Sequence, residues 1–141
     1  MITEPLKLLF LCTGNSCRSI MAEAITNYYS NGRYLAFSAG SIPTGSVHPK
    51  TIETLACHGI KCNTPRSKSW NEFKSQAIDI VITVCDQAAH ESCPIFPSQP
   101  KKLHWSIPDP AKVEGTEIEI NTAFEAVFNQ LKLRIEQELL S

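Results

Sequence analysis

The sequence predicts an α/β protein built on a parallel β-sheet with helices on both faces. Two short and strongly apolar segments, residues 6–11 and 78–84, are typical of buried strands, and they run into Cys12 and Cys85. Helix-like segments alternate with strands along the chain, an order that favours parallel β-α-β connections. Ligands of such sheets bind outside the carboxyl ends of the strands. We therefore expect Cys12 and Cys85 to lie at one functional edge.

The remaining elements follow from hydrophobic periodicity and from turn residues. Helices are predicted over residues 19–29, 49–58, 69–75 and 117–140, and further strands over 34–39 and 102–105. Pro49 suits the first turn of its helix, and Gly59 suits the end. The last helix has a long apolar face formed by Ile120, Ala123, Phe124, Val127, Phe128, Leu131, Ile135 and Leu139. Because no repeat or linker divides the sequence, we expect a single domain over residues 1–141.

The nearly equal numbers of basic and acidic side chains argue against some classes of binding partner. With 13 basic and 14 acidic side chains, the 141-residue chain has a net charge of -1, which argues against a broad nucleic-acid or membrane surface. Glu4 and Pro5 stand where a signal peptide would have a positive start, and the apolar run over 8–11 is too short to span a membrane. We expect a cytoplasmic monomer, where thiols stay reduced and six cysteines do not form a static disulfide framework.

The segment after the first strand has the properties of an anion-binding loop. Cys12 and Arg18 bracket five residues, and the loop leads directly into a helix. Its backbone N–H groups and the helix N-terminus attract an oxyanion, while Arg18 offers a planar pair of donors. Gly14 and Asn15 tolerate positive φ. The predicted oxyanion-binding loop comprises Thr13, Gly14, Asn15, Ser16, Cys17, Arg18 and Ser19.

The same surroundings favour the thiolate form of Cys12, which makes this residue the predicted nucleophile. Ser19 is placed to donate a hydrogen bond to its sulfur. The simpler alternative is a buried cysteine before a helix cap, which the position between a buried strand and an amphipathic helix makes less attractive. A nucleotide P-loop is excluded, because the loop lacks a Gly-Lys-Ser/Thr ending.

Two later features leave alternatives open when the residues are considered alone. Asp109 lies between two prolines, where it is either a general acid or part of a plain Asp-Pro turn. Cys93 follows Cys85 after seven residues and is either a redox partner or structural.

A zinc site with His90 or His104 is disfavoured. Neither the spacing of Cys85 and Cys93 nor that of Cys57 and Cys62 matches a zinc knuckle.

The motifs together resemble a known family. Residues 9–19, which read Leu-Phe-Leu-Cys-Thr-Gly-Asn-Ser-Cys-Arg-Ser, and the following Met21-Ala22-Glu23-Ala24 closely resemble the low-molecular-weight tyrosine phosphatase superfamily, and within it the arsenate reductase branch. Phe37-Ser38-Ala39-Gly40, residues 81–86, Cys93-Pro94, His104-Trp105 and Asp109-Pro110 also fit. The resemblance implies a flavodoxin-like three-layer sandwich with a four-stranded parallel sheet.

The resemblance also implies a reaction, the conversion of arsenate to arsenite in arsenical resistance. It implies that Cys12 attacks arsenate, that Cys85 then forms a disulfide with Cys12, and that Cys93 takes the disulfide over. Asp109 would supply the proton, beside Arg18 in the loop. Thioredoxin is the implied reductant, with glutathione and glutaredoxin as the alternative, and phosphate or sulfate would compete as oxyanions. No cofactor is implied.

A phosphatase acting on phosphomonoesters through Cys12, Arg18 and Asp109 is the alternative function. Phosphatases of the superfamily usually have aromatic residues after Asp-Pro, where this chain has Ala111 and Lys112. The departure favours a small inorganic anion as the substrate.

Asn15, Glu23 and Ser38 match positions that bind a monovalent cation in some relatives. Here we expect the ammonium of Lys68 to take the place of that ion.

Overall fold

The computed structural model describes residues 4–62, 65–89 and 96–141. Within them, four strands form one parallel sheet in the order β2-β1-β3-β4. The strands are β1 Leu6–Cys12, β2 Tyr34–Gly40, β3 Ile80–Thr83 and β4 Lys101–His104. This architecture confirms the predicted parallel α/β sandwich.

The helices are α1 Arg18–Tyr29, α2 Pro49–Cys57, α3 Asp86–Ala89 and α4 Glu117–Glu138, with 3₁₀ turns at Trp70–Phe73 and Pro110–Lys112. Most lie within two residues of the predicted ranges. The prediction over 78–84 was too long, because Ile78 and Val84 are buried but lie outside the strand. The short helix α3, directly after Cys85, was not predicted, since four residues are too few to show a helical period.

The pleat of β1 divides the core between the two faces of the sheet. Leu8 and Phe10 pack with α1 and α4 on one face, while Leu9 and Leu11 pack with Phe73 on the other. Successive side chains of a strand point to opposite faces, so an unbroken apolar run is required for a strand covered on both sides. Each of these large side chains contributes about 1.5–3 kcal/mol by leaving water.

The helices pack by the predicted faces with one exception. Phe124, Val127, Phe128, Leu131 and Ile135 of α4 are buried, as is Leu139 directly after the helix. A capping box formed by Thr116 and Glu119 begins α4, and Pro49 is the first residue of α2. Tyr28 has the same helical spacing as the buried Met21 and Ile25, which predicts burial, but it is 52% exposed and packs edge-on against Tyr29. None of the helices in the described ranges is long and apolar enough to cross a membrane.

The strand register brings distant segments to one edge of the sheet. Cys12 pairs with Gly40, Leu11 with Thr83, and Thr83 with His104. The segments that follow β1, β3 and β4 therefore leave the sheet side by side, and they carry Cys12, Cys85 and Asp109.

Candidate active site

Cys12 ends β1 and lies beneath the loop that follows. Its side chain is buried, with the sulfur 3.0 Å from Ser19 Oγ. The backbone N–H of Asn15 also donates to the sulfur at 3.2 Å. Ser19 thus occupies the position expected for a donor to the Cys12 sulfur. Donors aimed at a sulfur stabilise its negative charge.

Asn15 is the residue that holds the loop in shape. It is fully buried with φ of 48°, so the positive φ falls on Asn15, whereas Gly14 does not have it. Asn15 Nδ2 donates to Ser19 Oγ at 2.8 Å, and Asn15 Oδ1 accepts from the Lys68 backbone N–H at 2.9 Å. Asparagine tolerates this conformation because its side chain can form such local hydrogen bonds.

Gly40 allows β2 to approach the loop closely. A Cβ at this position would lie 2.4 Å from the carbonyl oxygen of Thr13 and 2.9 Å from that of Cys12. In the sequence, Gly40 is noticeable only as the last residue of the motif Phe37-Ser38-Ala39-Gly40. Its packing role depends on the pairing of Cys12 with Gly40, and only the β1–β2 register reveals that pairing.

Arg18 and Asp109 meet across the cavity mouth, although 91 positions separate them in the sequence. Arg18 Nη2 lies 3.5 Å from Asp109 Oδ2, and Arg18 Nη1 donates to the carbonyl oxygen of Ile107 at 3.0 Å. Asp109 Oδ1 accepts from the backbone N–H of Ala111 at 3.0 Å. The two predicted functional residues therefore lie together, and the Ile107 and Ala111 backbone orients them.

A cavity of about 470 Å³ joins these groups to Cys85. Its lining consists of Thr13, Gly14, Arg18, Cys85, Asp86, Gln87, Ser106, Ile107, Pro108, Asp109 and Lys112. The sulfur of Cys85 lies 3.6 Å from Thr13 Oγ1 and accepts from the Ala88 N–H at 3.4 Å. Cys85 is only 3% exposed. The structure thus brings a second thiol to the wall that the anion-binding loop forms. The other residues named from the sequence, His90 and Cys93, lie outside the described residues.

The second cysteine of the loop, Cys17, is buried. Burial raises the pKa of its thiol, and hydrogen bonds with Thr51 and Ser16 offset this only in part. Cys17 is therefore a protonated thiol near neutral pH, unlike a nucleophile.

Lys68 occupies the position expected for a cation beside the loop. Its ammonium lies 3.4 Å from Ser38 Oγ, 4.0 Å from Glu23 Oε1 and 3.0 Å from the carbonyl oxygen of Arg66. Burial raises the pKa of Glu23, and the positive charge of Lys68 offsets part of this rise. Burial lowers the pKa of Lys68, and the negative charge of Glu23 offsets part of this fall. Lys68 also contacts the loop through its backbone, since its N–H donates to Asn15 Oδ1 at 2.9 Å.

Both ring nitrogens of His104, a disfavoured zinc ligand in the sequence, have side-chain oxygen partners. Nε2 lies 3.0 Å from Asp86 Oδ1, and Nδ1 lies 2.7 Å from Thr83 Oγ1. Among the residues that the structure describes, no three His, Cys, Asp or Glu side chains are grouped to hold a metal ion. Cys57 is exposed at the end of α2, and Cys62 is half-buried.

A buried cysteine beneath an anion-binding loop, with an arginine in the loop and an aspartate opposite, defines a class of thiol enzymes that act on tetrahedral oxyanions. The family model of the low molecular weight phosphotyrosine protein phosphatases matches residues 7–140. The chain therefore belongs to this family.

Relatives that match most of the chain include arsenate reductases. The chain is 38% identical to an arsenate reductase of Halalkalibacterium halodurans over 91% of each chain. It is 34% identical to an arsenate reductase of Bacillus subtilis over 92% of each chain.

Solved structures show the same relationship. An arsenate reductase in the phosphate binding state superimposes with a TM-score of 0.73 at 29% identity, over 94% of this chain and 95% of the other. A thioredoxin-dependent arsenate reductase of Corynebacterium glutamicum gives a TM-score of 0.69 at 25% identity. That superposition covers 99% of this chain and 65% of the longer protein.

Proposed function

We propose that this chain is an arsenate reductase in which Cys12 is the nucleophile and Cys85 supplies the second electron-donating thiol. The observation that carries the proposal is the position of Cys85, buried in the wall of the cavity that Arg18 and Asp109 also line. A phosphatase needs one thiol at this site, whereas a reductase must deliver two electrons. The names of the relatives support the same function.

The first step is attack of the Cys12 thiolate on arsenic. The loop N–H groups and the guanidinium of Arg18 bind the arsenate oxygens, as preorganised donors stabilise developing charge. Asp109 passes a proton to the departing oxygen, which leaves as water. An S–As bond forms and an As–O bond breaks, so arsenic stays As(V) in this step.

The second step reduces arsenic. The Cys85 thiolate attacks the sulfur of Cys12, a disulfide forms, and the electron pair of the S–As bond goes to arsenic. Arsenite leaves as As(III), and two thiolates have become one disulfide. The hydroxyl of Thr13, 3.6 Å from the Cys85 sulfur, holds this thiol beside the loop before attack.

The part of the cavity that follows Asp109-Pro110 in the sequence suits a small inorganic anion. Ala111 and Lys112 follow Asp109-Pro110 where related phosphatases have aromatic residues, and Lys112 lines the cavity. Its ammonium makes no ion pair with any carboxylate of the described residues, whereas Arg18 is already engaged by Asp109. An incoming oxyanion therefore meets an uncommitted positive charge and no ring to stack on. Phosphate and sulfate share this geometry and would compete.

The proposed cycle ends when Cys93 takes over the disulfide from Cys85 and thioredoxin reduces it. The thioredoxin-dependent structural relative supports this donor, and glutathione with glutaredoxin is the alternative. Both donors operate in a cytoplasm that keeps thiols reduced, in line with the proposed cytoplasmic location. We propose that the chain acts as a monomer with one domain over residues 1–141.

Phosphomonoester hydrolysis is the second candidate, because the family model and the Arg18–Asp109 pair fit it equally well. It requires Cys12 but not Cys85. A single substitution therefore separates the two reactions.

The test measures arsenite formation and hydrolysis of an aryl phosphate by the parent chain, Cys85→Ser and Cys57→Ser. We expect Cys85→Ser to lose arsenate turnover and to keep any phosphatase activity. Cys57→Ser, which removes an exposed thiol outside the cavity, should keep both. Full arsenate turnover by Cys85→Ser would disprove the reductase proposal.

A second comparison addresses the donor. We expect Cys93→Ser to stop after one turnover with thioredoxin. Unchanged multiple turnover of Cys93→Ser with thioredoxin would show that the three-cysteine relay is wrong. Faster turnover with glutathione and glutaredoxin would favour the alternative donor.

A further inference from the structure

The ring of His104 contacts both residues that flank Val84 and Cys85. Thr83 precedes this pair and ends β3, and Asp86 follows it and begins α3. His104 Nδ1 lies 2.7 Å from Thr83 Oγ1, and Nε2 lies 3.0 Å from Asp86 Oδ1. One imidazole therefore bridges the chain on the two sides of the second thiol.

We propose that His104 is a positioning residue for Cys85, holding its thiol beside Thr13 so that it can attack the sulfur of Cys12. This inference rests on the proposed reductase function, since only a reductase uses the Cys85 thiol. His104 acts through Thr83 and Asp86 and does not itself touch the reacting atoms.

The sheet register places the ring correctly. Thr83 and His104 are direct partners on the parallel strands β3 and β4, so their side chains stand on the same face of the sheet. β4 is also tied to the chain just beyond β3, because Trp105 N–H donates to the Thr83 carbonyl oxygen at 2.8 Å. The ring thus projects from a fixed strand toward the first turn of α3, Asp86–Ala89.

The hydrogen-bond chemistry fixes the orientation of the ring. The Asp86 carboxylate can only accept, so His104 Nε2 carries the proton of that contact. In the neutral ring Nδ1 then accepts from the Thr83 hydroxyl. In the protonated ring Nδ1 donates to the Thr83 carbonyl oxygen, 3.2 Å away. Both states therefore keep the bridge.

The solvent exposure of His104 and Asp86 indicates how their contact can affect the position of Cys85 without a large effect on the stability of the fold. The side chains of His104 and Asp86 are 38% and 70% exposed, and ion pairs this exposed contribute little to global stability. The thiol that they flank is buried at 3% exposure. A solvent-facing bridge around a buried reactive group is therefore expected to affect the position of that group more than the free energy of unfolding.

The kinetic test uses single turnovers of arsenate in the Cys93→Ser chain, so that the reaction stops at the Cys12–Cys85 disulfide. We expect His104→Gln and Asp86→Ala to slow arsenite release and thiol loss by about tenfold to a hundredfold, the usual cost of a misplaced reacting group. The arsenate concentration for half-saturation should stay unchanged. Asp86→Asn keeps an oxygen that accepts from Nε2–H, and it should restore most of the rate.

The matched control is His58→Gln. His58 Nε2 also pairs with a carboxylate, at 2.8 Å from Glu125, but it lies between α2 and α4. This variant should keep the parent rate. A parent rate in His104→Gln, or an Asp86→Asn variant as slow as Asp86→Ala, would overturn the proposal.

A second measurement does not depend on arsenate. The reduced chain is labelled with iodoacetamide, and the labelling rate of Cys85 is compared with that of the exposed Cys57 by peptide mass spectrometry. We expect His104→Gln and Asp86→Ala to raise the Cys85 rate at least about threefold, as loss of local order increases access to a buried group. His58→Gln should leave it unchanged.

An unchanged Cys85 labelling rate in both His104→Gln and Asp86→Ala would show that His104 does not position the thiol. If the parent chain forms no arsenite, the reductase proposal fails. The labelling rates then still show whether His104 holds Cys85 in position.

Discussion

The two cysteines at the carboxyl edge of the sheet are held in contrasting ways. The Cys12 loop is tied to the segment that follows β2 by backbone bonds, since the carbonyl oxygens of Thr13, Gly14 and Ser16 each accept an N–H from that segment, at 3.0–3.1 Å. Around Cys85, side chains and backbone both take part: the Thr13 hydroxyl lies 3.6 Å from the sulfur, the Ala88 N–H donates to it at 3.4 Å, and His104 bridges Thr83 and Asp86.

The difference matches what each thiol must do in the proposed reaction. A site that stabilises an oxyanion needs donors that do not reorganise, so a loop tied down by backbone bonds is suitable. A thiol that attacks another sulfur must move to it, which requires a segment that opens locally at a small free-energy cost. The five changes below test this contrast, starting with the largest expected effect.

Replacing Arg18 with lysine should affect the oxyanion site and leave the Cys85 side unchanged. Lysine keeps the charge but cannot offer two parallel N–H groups, so kcat/KM for arsenate should fall by about 10²–10³. Steady-state kinetics measure the loss, and the iodoacetamide labelling rate of Cys85 serves as the control. A parent-like kcat/KM would show that the guanidinium does not hold the oxyanion.

Gly40→Ala should displace the Cys12 loop. The new Cβ would lie 2.4 Å from the Thr13 carbonyl oxygen, and overpacking of this kind costs about 1–3 kcal/mol of stability. Arsenate turnover should fall with it. Gly32→Ala is the matched control, because Gly32 has a positive φ of 83° but open space around its Cα. It should lose about 1 kcal/mol through backbone strain and keep its turnover. Equal turnover in the two variants would contradict a rigid loop.

Lys68→Met removes the ammonium behind Asn15. Glu23 is then left half-buried without its counter-charge, its pKa rises further, and about 1–2 kcal/mol of stability is lost, less than for a fully buried pair. If Lys68 stands in for a monovalent cation, KCl should raise the melting temperature of the variant more than NaCl does, and the parent should show no such difference. The exposed Lys74→Met is the control. An identical response to both salts would reject the substitution hypothesis.

Lys112→Met removes a positive charge from the lining of the cavity. Because the ammonium attracts the oxyanion without taking part in bond making, KM for arsenate should rise about threefold to tenfold with kcat unchanged. The dependence of kcat/KM on ionic strength should also weaken. Lys101→Met, at the amino end of β4, controls for the change in net charge. A fall in kcat alone would place Lys112 in the chemical step instead.

The smallest effect concerns Cys17 and the stability of the loop at alkaline pH. Burial raises the pKa of this thiol above its usual value of 9.0, so above pH 9 the unfolded chain loses the proton first. Stability should therefore fall as pH rises from 9 toward the folded-state pKa. Urea unfolding at pH 7 and pH 10 should show a smaller loss for Cys17→Ser than for the parent or for Cys57→Ser. A loss as large in Cys17→Ser would assign the alkaline instability to other groups.

The local signals in the sequence were sufficient for the strands, the main helices and the Cys12 loop. Apolar runs and turn residues act over a few positions, so the segment from Leu6 to Tyr29 could be assigned almost to the residue. Signals of the same kind were misleading where the context was not local. Tyr28 has the helical spacing of a buried residue, but it is 52% exposed.

The sheet, the nucleophile candidate Cys12 and the oxyanion-binding character of its loop could be predicted from local sequence patterns, because they depend on residues adjacent in the chain. The contact of Arg18 with Asp109, the need for glycine at position 40 and the bridge from His104 to Thr83 and Asp86 became visible only in the folded chain. These contacts join residues far apart in the sequence. They exist because the register of the parallel strands brings the carboxyl ends of β1 to β4 together, and no local pattern encodes that register.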